Sequence, residues 1–171
     1  MKKLFLAAVA VLGFSFANAQ DDNSSDALSK GSFVIEVNTG SWTTGSTAFS
    51  LASVDGETAW SVGAEGGYFV MDNLAVKAGL GYSDSGNNSD GVFAYKVGAK
   101  YYVIGQIPVG VDFTGVSSDG DNANWVGVQG GYAWFVAPNV SIEPTVRYNI
   151  SLDENKADNA FQGLIGFAFH F

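Results

Sequence analysis

Between residue 31 and Phe171 the chain alternates apolar side chains with small or polar ones at a period of two. That period sends neighbouring side chains to opposite faces of an extended strand and leaves no stripe for a helix to bury. Glycine, at 22 of 171 positions, also recurs too often for helices. The pattern predicts eight strands, at about 31–40, 58–70, 73–84, 91–103, 107–116, 123–136, 139–150 and 160–171. Pro144 falls inside the seventh, where it removes a ladder donor. A local bulge is expected there, with scope to shift the facing of its neighbours.

One face of these strands is apolar throughout. It runs from Phe33, Ile35 and Val37 in the first strand to Phe161, Ile165, Phe167, Phe169 and Phe171 in the eighth, and it carries no charge. The opposite face carries Glu36, Glu65, Lys77, Lys96, Lys100, Asp112, Glu143, Arg147 and His170 among glycines such as Gly67, Gly79, Gly98, Gly127 and Gly166. A soluble lipocalin-like barrel would turn the apolar face inward; a membrane barrel would turn it outward. Three features favour the second. Glycine on a solvated strand face weakens the strand, whereas in a narrow lumen it leaves room for long charged neighbours. Glu36, Glu65, Asp112 and Glu143 balance Lys77, Lys96, Lys100 and Arg147, as charges must where they pair away from bulk water. Finally, Trp60, Tyr68, Tyr82, Phe93, Tyr101, Tyr132, Trp134, Tyr148 and Phe169 gather toward strand ends. Amphipathic rings at headgroup level form such girdles, whereas a soluble core would hold its largest rings centrally.

The connections alternate in length. Residues 71–73, 104–106 and 137–139 make short turns, while long polar loops centre on 41–57, 85–90, 117–122 and 151–159. In an up-and-down meander every second connection lies at the same end, so the short turns share one end with both termini. Outer-membrane barrels have this asymmetry. Gly66-Gly67-Tyr68 before Asn73 is echoed by Gly130-Gly131-Tyr132 before Asn139. Hairpin duplication and convergence on a good turn both account for the echo; Asn suits positive φ in either case.

Ahead of the strands, Lys2 and Lys3 precede an apolar run over residues 4–16 and then Ala17-Asn18-Ala19. This predicts a signal peptide at 1–19, a mobile tail at 20–30 and a barrel domain at 31–171. The chain contains no Cys, which excludes disulfides, thiolate metal sites and a lipidated N-terminal Cys. Without Lys2 and Lys3, six basic residues face 17 acidic ones, so nucleic acid is not an expected partner. No segment beyond the leader is long and apolar enough for a transmembrane helix.

The ending Phe161-x-Gly163-x-Ile165-x-Phe167-x-Phe169-x-Phe171 resembles the terminal strand of outer-membrane barrels. With the Gly-Gly-Tyr turns and Lys100-Tyr101-Tyr102, residues 31–171 resemble the small outer-membrane β-barrel family, often labelled porin-family or outer-membrane-protein-X/A/W-like. The resemblance implies an all-β, eight-stranded antiparallel up-and-down transmembrane barrel in a bacterial outer membrane, with both termini periplasmic. It implies outer-membrane lipids, lipopolysaccharide and the barrel assembly machinery as partners, with Phe167, Phe169 and Phe171 as the assembly signal. A monomer is expected. The family includes anchors, adhesins, small channels and lipid-modifying enzymes, so fold alone does not select a role.

The candidate chemistry is sparse. His170 is the single histidine. Lipid A deacylases of this fold use a His and Ser on the lipid side near the outer leaflet; His170 lies on the opposite face at the opposite end, which suits lumen hydrogen bonding. The lumen carboxylates fit an acid pair less well than a structural ion-pair network, because eight strands enclose only enough space for side chains. The alternative is a narrow channel for water, ions or small solutes. Asp119-Gly120-Asp121-Asn122-Ala123-Asn124 starts like a calcium loop but has Ala123 at the fifth ligand position and no Glu at the twelfth. The acidic outside loops would favour divalent cations bridging them to anionic glycolipid. No catalytic residue, cofactor or metal ligand is expected.

Overall fold

The computed structural model describes residues 26–40, 47–54, 57–86, 91–118 and 121–171. The predicted signal peptide, residues 20–25 of the tail, and Asp119 and Gly120 lie outside the described residues. A 3-10 turn, Asp26–Leu28, precedes the strands β1 (Phe33–Thr39), β2 (Ala48–Val54), β3 (Glu57–Met71), β4 (Leu74–Asp84), β5 (Val92–Val103), β6 (Ile107–Ser118), β7 (Asp121–Gly131), β8 (Trp134–Ala137), β9 (Val140–Ser151) and β10 (Ala160–His170). They form one sheet that closes on itself through β9–β10 and β10–β1. Among the described residues the closed wall has nine strands, and β8 is an additional short one.

The predicted count of eight needs correction in two places. The first is β2, which lies within residues 41–57, read above as loop. Its seven residues also alternate, with Phe49 and Leu51 exposed, but the run is short and polar enough to pass for loop. β3 is 15 residues long and offers Glu65–Tyr68 to β1 and Glu57–Ser61 to β2. Near Asn38, β2 wedges in beside β1, pairing with it in parallel at Asn38↔Ala48 and Thr39↔Phe49. The sheet is therefore mixed, not wholly antiparallel.

The second is the predicted strand 123–136, which is divided into β7 and β8, both paired to β9. The interruption faces Pro144. Register is unchanged across it, with Gly131↔Thr145 on one side and Trp134↔Ile142 on the other. Tyr132 N–H still donates to the Pro144 carbonyl at 3.1 Å, but Pro144 has no N–H to return the bond. The expected bulge at Pro144 is thus replaced by a lapse in the ladder, and facing is preserved: Glu143 is buried and Pro144 exposed. Register shifts occur instead beside two short turns, at Phe69/Met71 and Phe135/Ala137.

Outward side chains are apolar. Between the strand ends Val62, Leu80, Val97, Val111, Val146 and Ile165 are each 47–61% exposed, whereas the charged face points inward. Trp60, Tyr82, Phe93, Tyr148 and Phe161 stand outward toward the long-loop end, and Phe33, Tyr68, Tyr101, Tyr132 and Trp134 toward the short-turn end. Among the described residues no helix is long and apolar enough to cross a membrane.

Candidate functional site

Glycine sets the space inside the barrel. Across the ladders Lys77 is flanked by Gly67 and Gly98, Asp112 by Gly98 and Gly127, Glu65 by Gly79, Lys100 by Gly110, and Glu143 by Gly166. A Cβ on Gly98 would lie 2.4 Å from the Val111 carbonyl oxygen and 2.4 Å from Asp112 Cβ, closer than any side chain tolerates. Most of the long charged side chains cross the lumen beside such a gap; Glu36, flanked by Glu65 and Ala168, does not.

The crossing side chains meet in two groups. Six form one chain of alternating sign. Lys96 Nζ lies 2.6 Å from Glu65, and Glu65 lies 2.7 Å from Lys77 Nζ. Lys77 also pairs with Glu36, Glu36 lies 2.6 Å from Lys100 Nζ, and Lys100 pairs with Glu143. In the second group Asp112 receives both terminal nitrogens of Arg147, with Nη2–Oδ1 at 2.6 Å. Arg147 Nε donates to Asn149 at 2.7 Å and Nη1 to Gln129 at 3.0 Å. All eight charged side chains are at most 8% exposed.

Burying charge is unfavourable by several kcal/mol per ion unless geometry and hydrogen bonding both compensate. Here every carboxylate has several donors. Glu143 accepts from Lys100, from Tyr102 Oη at 2.9 Å and from Ser141 Oγ at 2.8 Å. Glu65 adds Thr47 Oγ1, and Asp112 adds Thr114 Oγ1. A void of about 10 Å³ remains between Glu65, Lys77, Lys96, Lys100 and Asp112. That is at or below what one water occupies.

The two ends of this interior differ. At the short-turn end Phe69, Tyr102 and Phe135 surround His170, whose ring centroid is 5.4 Å from that of Phe135 and 6.1 Å from that of Tyr102. His170 is fully buried, and its Nε2 lies 3.3 Å from Ser141 Oγ. Leu28 from the N-terminal turn packs into the same cluster. Among the contacts that hold that turn, Asn73 N–H donates to the Leu28 carbonyl at 2.7 Å, and Lys30 N–H donates to Asp72 at 2.8 Å. Toward the long-loop end the buried Trp125 donates through Nε1 to the Asp158 carbonyl at 3.1 Å.

The structure therefore places all nine predicted interior residues on the inward face. Charge and glycine content did not point to Phe69, Tyr102, Phe135 and Trp125, although their parity puts them on the same face. Leu28 had no periodic neighbours to mark it. Phe167 and Phe171 face outward, and Phe169 is half-buried; Phe167 and Phe169 lie on the seam with β1, at Phe167↔Val37 and Phe169↔Ile35. Among the described residues no three His, Cys, Asp or Glu side chains are grouped to hold a metal ion.

No family model and no curated protein matches the chain. Among solved structures, the N-terminal β-barrel domain of Pseudomonas aeruginosa OprF superimposes with a TM-score of 0.52 at 12% identity, covering 83% of this chain and 98% of that one. The fold is that of a small outer-membrane β-barrel. The Yersinia pestis outer membrane protein Ail in a phospholipid bilayer nanodisc gives a TM-score of 0.48 at 12% identity, over 83% of this chain and 100% of Ail. Neisserial surface protein A gives 0.47 at 16% identity, over 83% of this chain and 98% of that one. The OprF domain and this chain thus share a closed all-β wall, with nine strands among the described residues here against eight in the neighbours.

Proposed function

We propose that this protein is an integral outer-membrane barrel whose interior is a structural ion-pair network, and that it serves the envelope without catalysing a reaction. The observation that carries the reading is the inversion of the wall: aliphatic side chains outward, charged side chains paired within. In hydrocarbon every backbone amide must be paired, so a spanning sheet must close. An aliphatic belt flanked by aromatic rings matches the surface such a barrel presents to lipid. The tight packing between Glu65, Lys96 and Asp112 favours a filled barrel over a narrow channel. In this reading both termini face the periplasm, lipopolysaccharide surrounds the long-loop end, and Phe167, Phe169 and Phe171 are the segment read by the assembly machinery.

Gel migration of membrane extracts with and without boiling tests the reading. A barrel shifts on boiling and partitions with outer membranes. A heat-insensitive band in a soluble periplasmic fraction contradicts it.

A further inference from the structure

At the short-turn end the barrel wall has an open edge. β8 pairs with β9 on one side, and among the described residues no strand pairs with its other side. The wall beside it stops early, because β6 begins only at Ile107, and the last link across is Ala133 N–H to the Gln106 carbonyl at 2.7 Å. Tyr132 N–H points to β9 and Ala133 N–H points away, so by the alternation of an antiparallel ladder the Phe135 N–H also points away from β9. Directly beside this edge is a cleft of about 670 Å³. Trp134, Phe135, Leu28 and Ile104 give it apolar walls, and Asp26 and Asp72 are the charged residues that line it. Ile104, at the tip of the turn, is 80% exposed and held at φ 49°, a conformation strained for a β-branched residue.

We infer that this edge and cleft bind a short extended segment of another protein by strand addition to β8, and that the segment alternates apolar with basic residues. Free main-chain groups of an edge strand select an extended partner, and pockets for alternate side chains set its sequence. The carboxylates of Asp26 and Asp72 complement a Lys or Arg, while Trp134 and Ile104 receive the apolar positions. The inference uses the barrel's geometry and not its membrane location, so its test is read separately from heat-modifiability.

The probe is a fluorescent, end-capped Lys-Val-Lys-Val-Lys-Val peptide, titrated by anisotropy into the full chain folded in detergent micelles. Saturable binding is expected. It should weaken at least tenfold for the same peptide N-methylated at alternate residues, which keeps the side chains and removes the donors. It should weaken similarly for Glu-Val-Glu-Val-Glu-Val. The double variant Asp26→Asn/Asp72→Asn should bind the basic peptide several-fold less tightly with its gel shift intact. Equal binding of the N-methylated peptide, or no saturable binding at all, overturns the proposal. So does a detergent-resistant dimer dissolved by Trp134→Ala, which would assign the edge to a second copy.

Discussion

The inner and outer faces of the wall are built from the same strands, one residue apart, yet they use glycine in opposite ways. Inward Gly98 is closed in by the backbone of β6, and inward Gly127 would place a Cβ 2.0 Å from Arg147 Nη2. Outward Gly66, Gly130 and Gly163 have nothing within 4 Å of an added Cβ. The inner face is a fitted assembly in which glycines such as Gly98 and Gly127 leave the room that long neighbours occupy. The outer face has only to be apolar. Sequence change should therefore be costly inside and cheap outside, provided the outside stays uncharged.

The largest expected effect breaks the inner assembly. Lys100→Met leaves Glu36 and Glu143 sharing a buried site without their common cation. Loss of one partner from a buried pair costs about 3–5 kcal/mol, to be read as a drop in the urea midpoint of the barrel folded in lipid vesicles. Next, a charge is placed on the outer belt. Val111→Arg, at a position 52% exposed between the girdles, should cost roughly 2–4 kcal/mol in vesicles. The same change should cost little in a soluble protein with that exposure, so the size of the loss separates lipid from water outside. Third, Gly98→Ala should destabilise by about 1–3 kcal/mol, the usual cost of overpacking. Its outward counterpart Gly130→Ala should stay within about 0.5 kcal/mol. The difference between these two alanines in one denaturation series measures the asymmetry with the chemistry of the substitution held constant.

Period-two alternation made the facing of every long strand legible, because one residue of slip in β5 would have turned Lys96 and Lys100 outward together. Charge balance made it legible that these cations meet carboxylates, but not which ones. The six-membered chain and the separate Arg147–Asp112 pair depend on the stagger between strands, which alternation leaves open. β2 was not legible because it has only seven residues in a Ser- and Gly-rich neighbourhood, and its place is set by a parallel pairing beside Asn38 that alternation does not reveal. At Pro144 the sequence identified the site of the disturbance but not its form. A missing donor can be accommodated by a bulge or by a lapsed bond, and here the lapse keeps Glu143 in reach of Lys100. The floor of the barrel was missed because Phe69, Tyr102 and Phe135 read as ordinary strand aromatics until the inward parity is applied to them.

The central claim is that the aliphatic belt faces hydrocarbon. The chain contains no cysteine, so a single introduced one can carry a nitroxide label without a background signal. Val97→Cys, Val111→Cys and Val146→Cys, labelled and folded into lipid vesicles, compare relaxation by oxygen, which concentrates in the bilayer, with relaxation by a water-soluble nickel chelate. Oxygen dominating at all three positions is the predicted result. Nickel dominating at the same positions would place this face in water and contradict the membrane barrel.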